Sequence, residues 1–485
     1  MTSAASDGLK GSRASHEKAG FGHSLGQLES ITLWQAVGLF TFSTWALGGQ
    51  IAWARTVIGI WGCLGFGITV LAWKNWSKLR PYAPAWAFAA LYALLAYDLF
   101  VLVSALNPSH VLKSYEGEFL LIPFKPITWL PSAARPSFSL RELWIRNALF
   151  ITAFNVSVCL RHRKSIRILL FALTINAFAL SVFGTLQKFI HAGLWFGLVK
   201  SPNESFFATY IYHNHWGAMI VLSLACCGGL LFHFTKGITR HDFLRSPAVT
   251  GLVITFFIAV TLPLSGSRAC SVLGLVLFLI ATIYFVAKQR TSGPPQKRSL
   301  RPNLISAFFC LALVIGGVYF FAKREIHQRI DKTKEQLSEL RGTQSLGARS
   351  QLYRDTLKMI SDKPWTGWGL ECYGTIFRLY NRQIPRDNLE IYYERAHSDW
   401  LQSLAETGVV GTLLITAAGV LPLINTPWKH LMRTPIACFP LLGCGLICLY
   451  ACIEFPFACA AVALLFWICF FSAIKYAHLD AIAEK

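Results

Sequence analysis

The feature that most constrains this chain is the recurrence of apolar runs of about 17 to 23 residues, the length that crosses a hydrocarbon layer as a helix. They fall near 31–52, 54–73, 84–106, 143–160, 168–190, 214–235, 248–264, 269–287, 303–322, 402–425, 435–453 and 459–476. Backbone groups inside hydrocarbon must find their hydrogen bonds within the segment, so the runs predict an all-α polytopic membrane protein with about twelve helices. Charge is correspondingly scarce: 14% of the 485 residues, with a mean hydropathy of +0.47. A soluble chain is about a quarter charged. The net charge of +21 would suggest a nucleic-acid partner if the chain were soluble. The cations sit mainly in links between apolar runs, which argues for no nucleic-acid partner and for contact with membrane lipids.

The links also set the expected orientation. The N-terminal tail, Lys74–Arg80, Arg161–Arg167, Lys236–Arg245, Lys288–Arg301, Lys429–Arg433 and the stretch from Lys475 onward are basic, and they alternate with links that are short or mixed in charge. The positive-inside rule then puts both termini in the cytoplasm. No short apolar core with a small-residue cleavage site follows the polar first 30 residues, so no removable signal peptide is expected. Most of the thirteen cysteines lie in or beside apolar runs, where Cys acts as a small hydrophobe, and no structural disulfide is expected.

Two external segments stand out. Residues 107–141 carry Pro123, Pro126, Pro131 and Pro136 and are expected to form an irregular loop at the interface. Residues 323–400 are the main polar feature, with helical patterns near 326–340 and 350–360. Asp362-Lys363-Pro364 stops the second helix, and Trp365-Thr366-Gly367-Trp368-Gly369 reads as a glycine-punctuated turn.

The chemistry-bearing residues gather at these external ends. Ser267-Arg268-Ala269 puts a cation at the membrane edge, as a functional group or as an arginine snorkelling to headgroups. Tyr212-His213-Asn214-His215-Trp216 opens an apolar run. His213 and His215 have i, i+2 spacing, do not share a helix face and lack a nearby acid, so sugar hydrogen bonding or helix capping by Asn214 is favoured over a metal site. Arg349 opens the helix near 350, where free N–H groups and a planar guanidinium both suit phosphate. His397, in Ala396-His397-Ser398-Asp399-Trp400, is a general base or a solvated loop histidine, and Asp399 orients another group. The stretch from Arg378 through Arg382 and Arg386 to Arg395 reads mostly as a solvated basic face.

These motifs together resemble the O-antigen ligase-like family. The likeness runs from His213-Asn214-His215-Trp216-Gly217-Ala218 through Ser267-Arg268-Ala269, Arg349 and Asp362-Lys363-Pro364-Trp365 to Ala396-His397-Ser398-Asp399 and Glu406-Thr407-Gly408-Val409-Val410-Gly411. It implies a GT-C-like, inverting glycosyltransferase with no metal and no cofactor, in the inner membrane of a bacterium. The implied donor is a glycan on undecaprenyl diphosphate; the implied acceptor is lipid A core, another glycan or a protein. His397 would serve the attacking hydroxyl, and Arg268 and Arg349 the departing diphosphate. His213, Asn214, His215, Tyr353, Asp399 and Glu406 would contact substrate. The chain departs from the family pattern at His215-Trp216-Gly217-Ala218, at Tyr353 and at Ser398.

The organisation that follows is a cytoplasmic tail at 1–30, nine crossings at 31–322, a large periplasmic loop at 323–400, three crossings at 401–476 and a cytoplasmic tail at 477–485. Two other readings stay open. A polymerase of the same superfamily would share donor and topology. A transporter of lipid-linked glycan would need polar groups deep in the bilayer, and Asp98 is the main candidate for one.

Overall fold

Apolar runs long enough to span a bilayer become helices because no other secondary structure closes its own backbone hydrogen bonds. The computed structural model describes residues 26–84, 86–115, 118–190, 193–196, 198–201, 203, 205–235, 246–291, 347–382 and 393–484. Its main helices are α1 (26–45), α2 (Ala52–Lys74), α3 (Trp86–Leu106), α4 (Pro136–Cys159), α5 (Arg163–Ile190), α6 (His213–Phe234), α7 (Pro247–Ser265) and α8 (Arg268–Thr291). They continue with α9 (Gly347–Asp362), α10 (Asp399–Ile424), α11 (Pro435–Tyr450) and α12 (Ala460–Ala483). Every expected run except 303–322 falls on one of these helices. That run, the helical pattern at 326–340, Arg386 and the basic links 236–245 and 292–301 lie outside the described residues.

Eight of the described helices are long and apolar enough to cross a membrane. The protein is a mostly helical, multi-pass membrane protein. α12 and α6 form its centre, and α12 packs against α4, α11 and α6. Phe471 of α12 shows how tightly: its ring meets Phe150 of α4 edge-on at 5.4 Å and stacks on Trp86 of α3 at 6.1 Å. At the periphery, α2 and α8 turn Ile60, Leu64, Trp73, Val272, Leu275 and Leu279 outward, as a lipid-facing surface requires. Polar side chains tie the helices internally. Gln35 donates to Thr152 at 3.0 Å, and Asn155 of α4 donates to the Gly65 carbonyl of α2 at 2.8 Å.

Several basic links meet at one end of the bundle. Glu29 near the start of α1 accepts from the backbone of Arg161 and His162, Arg163 pairs with Asp480, Thr434 donates to Asp480, and Lys475 donates to the Tyr82 carbonyl. This joins the start of α1 to the link between α4 and α5, and brings in the links between α2 and α3 and between α10 and α11.

Two local expectations are corrected. Part of segment 107–141 is ordered as a hairpin, with β1 (His110–Tyr115) antiparallel to β2 (Glu118–Pro123), because the prolines lie at its end and beyond it. A second, two-residue hairpin pairs Leu194–Trp195 with Val199–Lys200. The last helix does not end near 476 but runs to Ala483, since Asp480 is held by Arg163 and Thr434; Lys475 is buried inside it. Among the described residues every cysteine is free.

Candidate active site

The start of α10 is stitched to the turn between α11 and α12. Ser398 caps the helix, accepting from the Leu401 amide at 3.3 Å while donating to the Ala451 carbonyl at 3.3 Å. The Asp399 amide donates to the carbonyls of Ala451 (3.0 Å) and Glu454 (3.1 Å), and the Asp399 carboxylate accepts from the Phe457 amide at 2.9 Å. His397 is thereby held over Glu454 in the left-handed region, with φ of 52°, a costly conformation for a residue with a Cβ. Tyr353 of α9 fixes it further, donating to the His397 carbonyl at 2.9 Å.

A second stitch places α9. The turn at Trp365–Gly369 lies directly on the backbone of Glu406–Gly408, where α10 kinks. The amides of Trp368 and Gly369 donate to the carbonyls of Ala405 (3.0 Å) and Glu406 (2.7 Å), and the Val409 amide donates to the Pro364 carbonyl at 2.9 Å. Gly367 and Gly408 have φ of 66° and 63°, and a Cβ on either would come within 2.4 Å of the opposing backbone. Only glycine meets both demands.

These stitches bring α9, α10 and the residues before α6 to one buried carboxylate. Glu454 accepts from the Arg349 guanidinium at 2.7 Å and from the Tyr212 hydroxyl at 3.3 Å. The Nδ1 of His397 is 3.6 Å from Glu454 Oε2, too long for a hydrogen bond, and that nitrogen is shielded from solvent with no hydrogen-bond partner. From Tyr212 the chain continues outward: Asn214 donates to the Tyr212 hydroxyl at 2.7 Å, and Ser267 donates to the Asn214 amide oxygen at 2.7 Å. Arg268 is the next residue, exposed at the first position of α8. Phe455 packs the group together, stacked on Tyr212 (5.4 Å) and met edge-on by His215 (5.1 Å) and His397 (4.9 Å).

Electrostatics follow from this crowding. Burial pushes the Glu454 carboxyl up, but the adjoining His397 imidazole and Arg349 guanidinium outweigh it and hold it below its ordinary value. Burial, then the Glu454 charge, pushes the Tyr212 hydroxyl up, so it remains a donor. Burial disfavours the Arg349 cation, yet Glu454 more than compensates and its pKa is raised.

The structure therefore brings together His397, Arg349, Tyr353 and Asn214, and Arg268 follows Ser267, which donates to Asn214. Others are engaged differently. Tyr212, not Asn214, is the N-cap residue of α6, and Asn214 lies inside the helix. Both ring nitrogens of His215 are engaged, by Gln50 at 2.9 Å and the Phe455 carbonyl at 3.1 Å. His213 lies beside Tyr212, the rings 5.0 Å apart. Asp399 serves the turn after α11. Glu406 is buried and accepts from the backbone amides of Glu371 (2.9 Å) and Tyr373 (3.3 Å) and from Gln402 (3.0 Å). Arg395 is no part of a solvated face: it grips Glu371 with both terminal nitrogens, one at 2.8 Å.

Glu454 was passed over in the sequence as part of a short link. A signal was there: an acid isolated between two apolar runs has the same cost that drew attention to Arg268. Among the described residues, one group of three side chains that could hold a metal ion has its ligand atoms within 4.8 Å of one another: His430, Asp480 and Glu484. It lies at the far end of α12 from this cluster.

Residues 253–416 match the family model described as O-antigen ligase. Over that segment the chain is similar to the O-antigen ligase family. The matched segment holds Arg268, Arg349 and His397, while Tyr212, Asn214 and Glu454 lie outside it. A ligase- or polymerase-type membrane glycosyltransferase is the class this likeness supports. A search of curated proteins finds no match.

Proposed function

We propose that this protein is a membrane glycosyltransferase that moves a glycan from undecaprenyl diphosphate onto lipid A core or a similar acceptor. The observation that carries the reading is the convergence of Arg349 and His397 on one buried carboxylate, at the end of the bundle away from the basic links. An arginine suited to phosphate next to an imidazole suited to a hydroxyl proton is what this transfer needs.

In the proposed step the acceptor hydroxyl attacks the anomeric carbon of the donor sugar. The new C–O bond forms as the bond from that carbon to the phosphate oxygen breaks, and the bonding pair leaves with the diphosphate. The acceptor proton goes to His397. Arg349 meets the charge that develops on the leaving group, and Arg268, which follows Ser267 at the start of α8, is assigned to the same diphosphate, so the step draws on no metal. Attack opposite the leaving group inverts the anomeric centre. His213, Asn214 and Tyr353 border the space in which the sugars would lie; Asp399, Glu406 and His215 hold its frame.

The reading includes about twelve crossings in a GT-C-like arrangement, with both termini cytoplasmic and the cluster at the periplasmic face of a bacterial inner membrane. The alternation of basic links supports that orientation. A polymerase would use the same donor and the same proton transfer, with a second lipid-linked glycan as acceptor. Transport is less favoured, because Asp98 is engaged by Asn147 at 3.1 Å.

The test is a deletion strain carrying wild type, His397→Ala or Arg268→Ala at matched expression, with surface glycolipids and the polyprenyl-linked pool assayed together. Full-length glycan accumulating on the carrier while the acceptor stays bare, with neither variant restoring transfer, supports ligation. Intact single repeats with loss of chain length alone would point to the polymerase. Normal transfer in the deletion and in both variants would refute both.

A further inference from the structure

Glu454 is engaged by Arg349, but the group it could serve in catalysis, His397, is left short of contact. Its Oε1 takes the guanidinium at 2.7 Å, while Oε2 stops 3.6 Å from His397 Nδ1. That nitrogen is sealed from water and finds no other partner. A buried, unpaired imidazole nitrogen beside a carboxylate is costly to leave unmade, and closing a gap of less than 1 Å would make the bond. Other groups around the pair leave this route open. From α9 come Arg349 and Tyr353, the latter bonded to the His397 carbonyl rather than to its ring. From the segment before α10 come Tyr393, whose ring is 6.4 Å from that of His397, and Arg395, which is committed to Glu371. Asp399 is turned to the Phe457 amide, Tyr212 donates to Glu454, and His215 is engaged at both nitrogens.

We propose that Glu454 is the positioning carboxylate of His397, and that Arg349 holds it in reserve until the diphosphate of the donor takes the guanidinium. The inference rests on the glycosyl-transfer reading for its substrate. An anion with two phosphates outcompetes one carboxylate for Arg349, because the arginine fork pairs with phosphate bidentately and the existing pair uses a single nitrogen. Glu454, released, closes on His397 Nδ1. The carboxylate then fixes the tautomer with Nδ1 protonated, leaves Nε2 as the base, and stabilises the imidazolium formed when the acceptor proton arrives. Donor binding would thus switch on the base, so that the acceptor is deprotonated only when a leaving group is in place. Ser398 and Asp399 tie the α10 start to the 451–454 turn, so the two partners stay in register as the side chain moves.

The first test needs no turnover. Binding of inorganic pyrophosphate to the purified full chain is measured by calorimetry for wild type, Glu454→Gln, Arg349→Ala and the double variant. With its guanidinium half exposed, the ion pair competes weakly, so Glu454→Gln should bind about two- to fivefold tighter than wild type. That gain should vanish when Arg349 is Ala. Equal or weaker binding by Glu454→Gln, or the same gain without Arg349, overturns the reserve role. The second test is kinetic, with a polyprenyl diphosphate glycan donor. Glu454→Gln should lower kcat about tenfold or more without raising the donor KM, as expected for an impaired general base. Glu454→Asp should recover part of kcat. Unchanged kcat in Glu454→Gln, or no recovery in Glu454→Asp, overturns the positioning role. If wild type transfers no glycan, the glycosyl-transfer reading fails on its own, while the pyrophosphate cycle still decides whether Glu454 competes for Arg349.

Discussion

The two ends of the bundle each bury one glutamate between an arginine and a histidine, and they use it in opposite ways. At the basic end Glu29, 7% exposed, accepts from the amides of Arg161 and His162 at 3.0 Å and from the His162 ring at 2.8 Å, with Arg161 at 3.7 Å. At the other end Glu454, 5% exposed, has Arg349 and Tyr212 but stands off from His397. Backbone donors cannot leave, so Glu29 is a fixed rivet between the α1 start and the α4–α5 link. The partners of the Glu454 carboxylate are all side chains, which can exchange it for a ligand. The same three residue types make a structural clamp where the donors belong to the main chain, and a poised site where they do not.

The largest effect should come from the imidazole at the poised end. His397→Ala should slow glycan transfer by about 10²- to 10⁴-fold, the span of general base catalysis, with the thermal midpoint nearly unchanged; a loss below tenfold in a purified transfer assay would break the contrast. Next is Gly408→Ala, whose Cβ would lie 2.3 Å from the Trp365 carbonyl carbon. It should forfeit about 1–3 kcal/mol of stability through backbone strain and loosen α9 from α10, read as earlier proteolysis near residue 365 than near residue 161.

Glu29→Ala should destabilise the protein by a similar ~1–3 kcal/mol, because two part-buried amides lose their acceptor. Turnover per folded molecule should stay at the wild-type level, and a drop in that figure would erase the difference between rivet and site. Acid provides a gentler probe. The folded Glu454 pKa lies below its ordinary 4.5, so its contribution to stability is fully present above that value and is lost as pH falls through the folded pKa. Unfolding midpoints measured from pH 6 downward should fall less steeply for Glu454→Gln than for wild type. The smallest change is Tyr353→Phe, which removes one hydrogen bond to the His397 carbonyl, worth about 0.5–1.5 kcal/mol. Transfer should slow by roughly tenfold at most.

Much of the architecture was legible because its cause is local. Each described apolar run became a helix, and the basic links that could be followed converge at one end, since length and charge act segment by segment. The turn at Gly367 and Gly369 was also readable, although not that it would lie against Gly408: a glycine advertises a close approach without naming what approaches. His397, Arg349 and Asn214 could be singled out by residue type. Glu406 looked equally suitable, and its engagement by the amides of Glu371 and Tyr373 appears only when residues 33 to 35 positions apart are folded together. The hairpin at 110–123 was obscured by the prolines that follow its first strand.

The sequence by itself thus determined that this is a helical membrane protein and which basic links share an end, and it singled out one imidazole and one guanidinium by residue type. Those properties depend on hydration and backbone hydrogen bonding, which act on each segment separately. Only the tertiary structure decided that Glu454 is the residue on which Arg349, Tyr212 and His397 converge. Long-range convergence depends on how helices pack and on which donors are left without partners, and neither is written in any one stretch of chain.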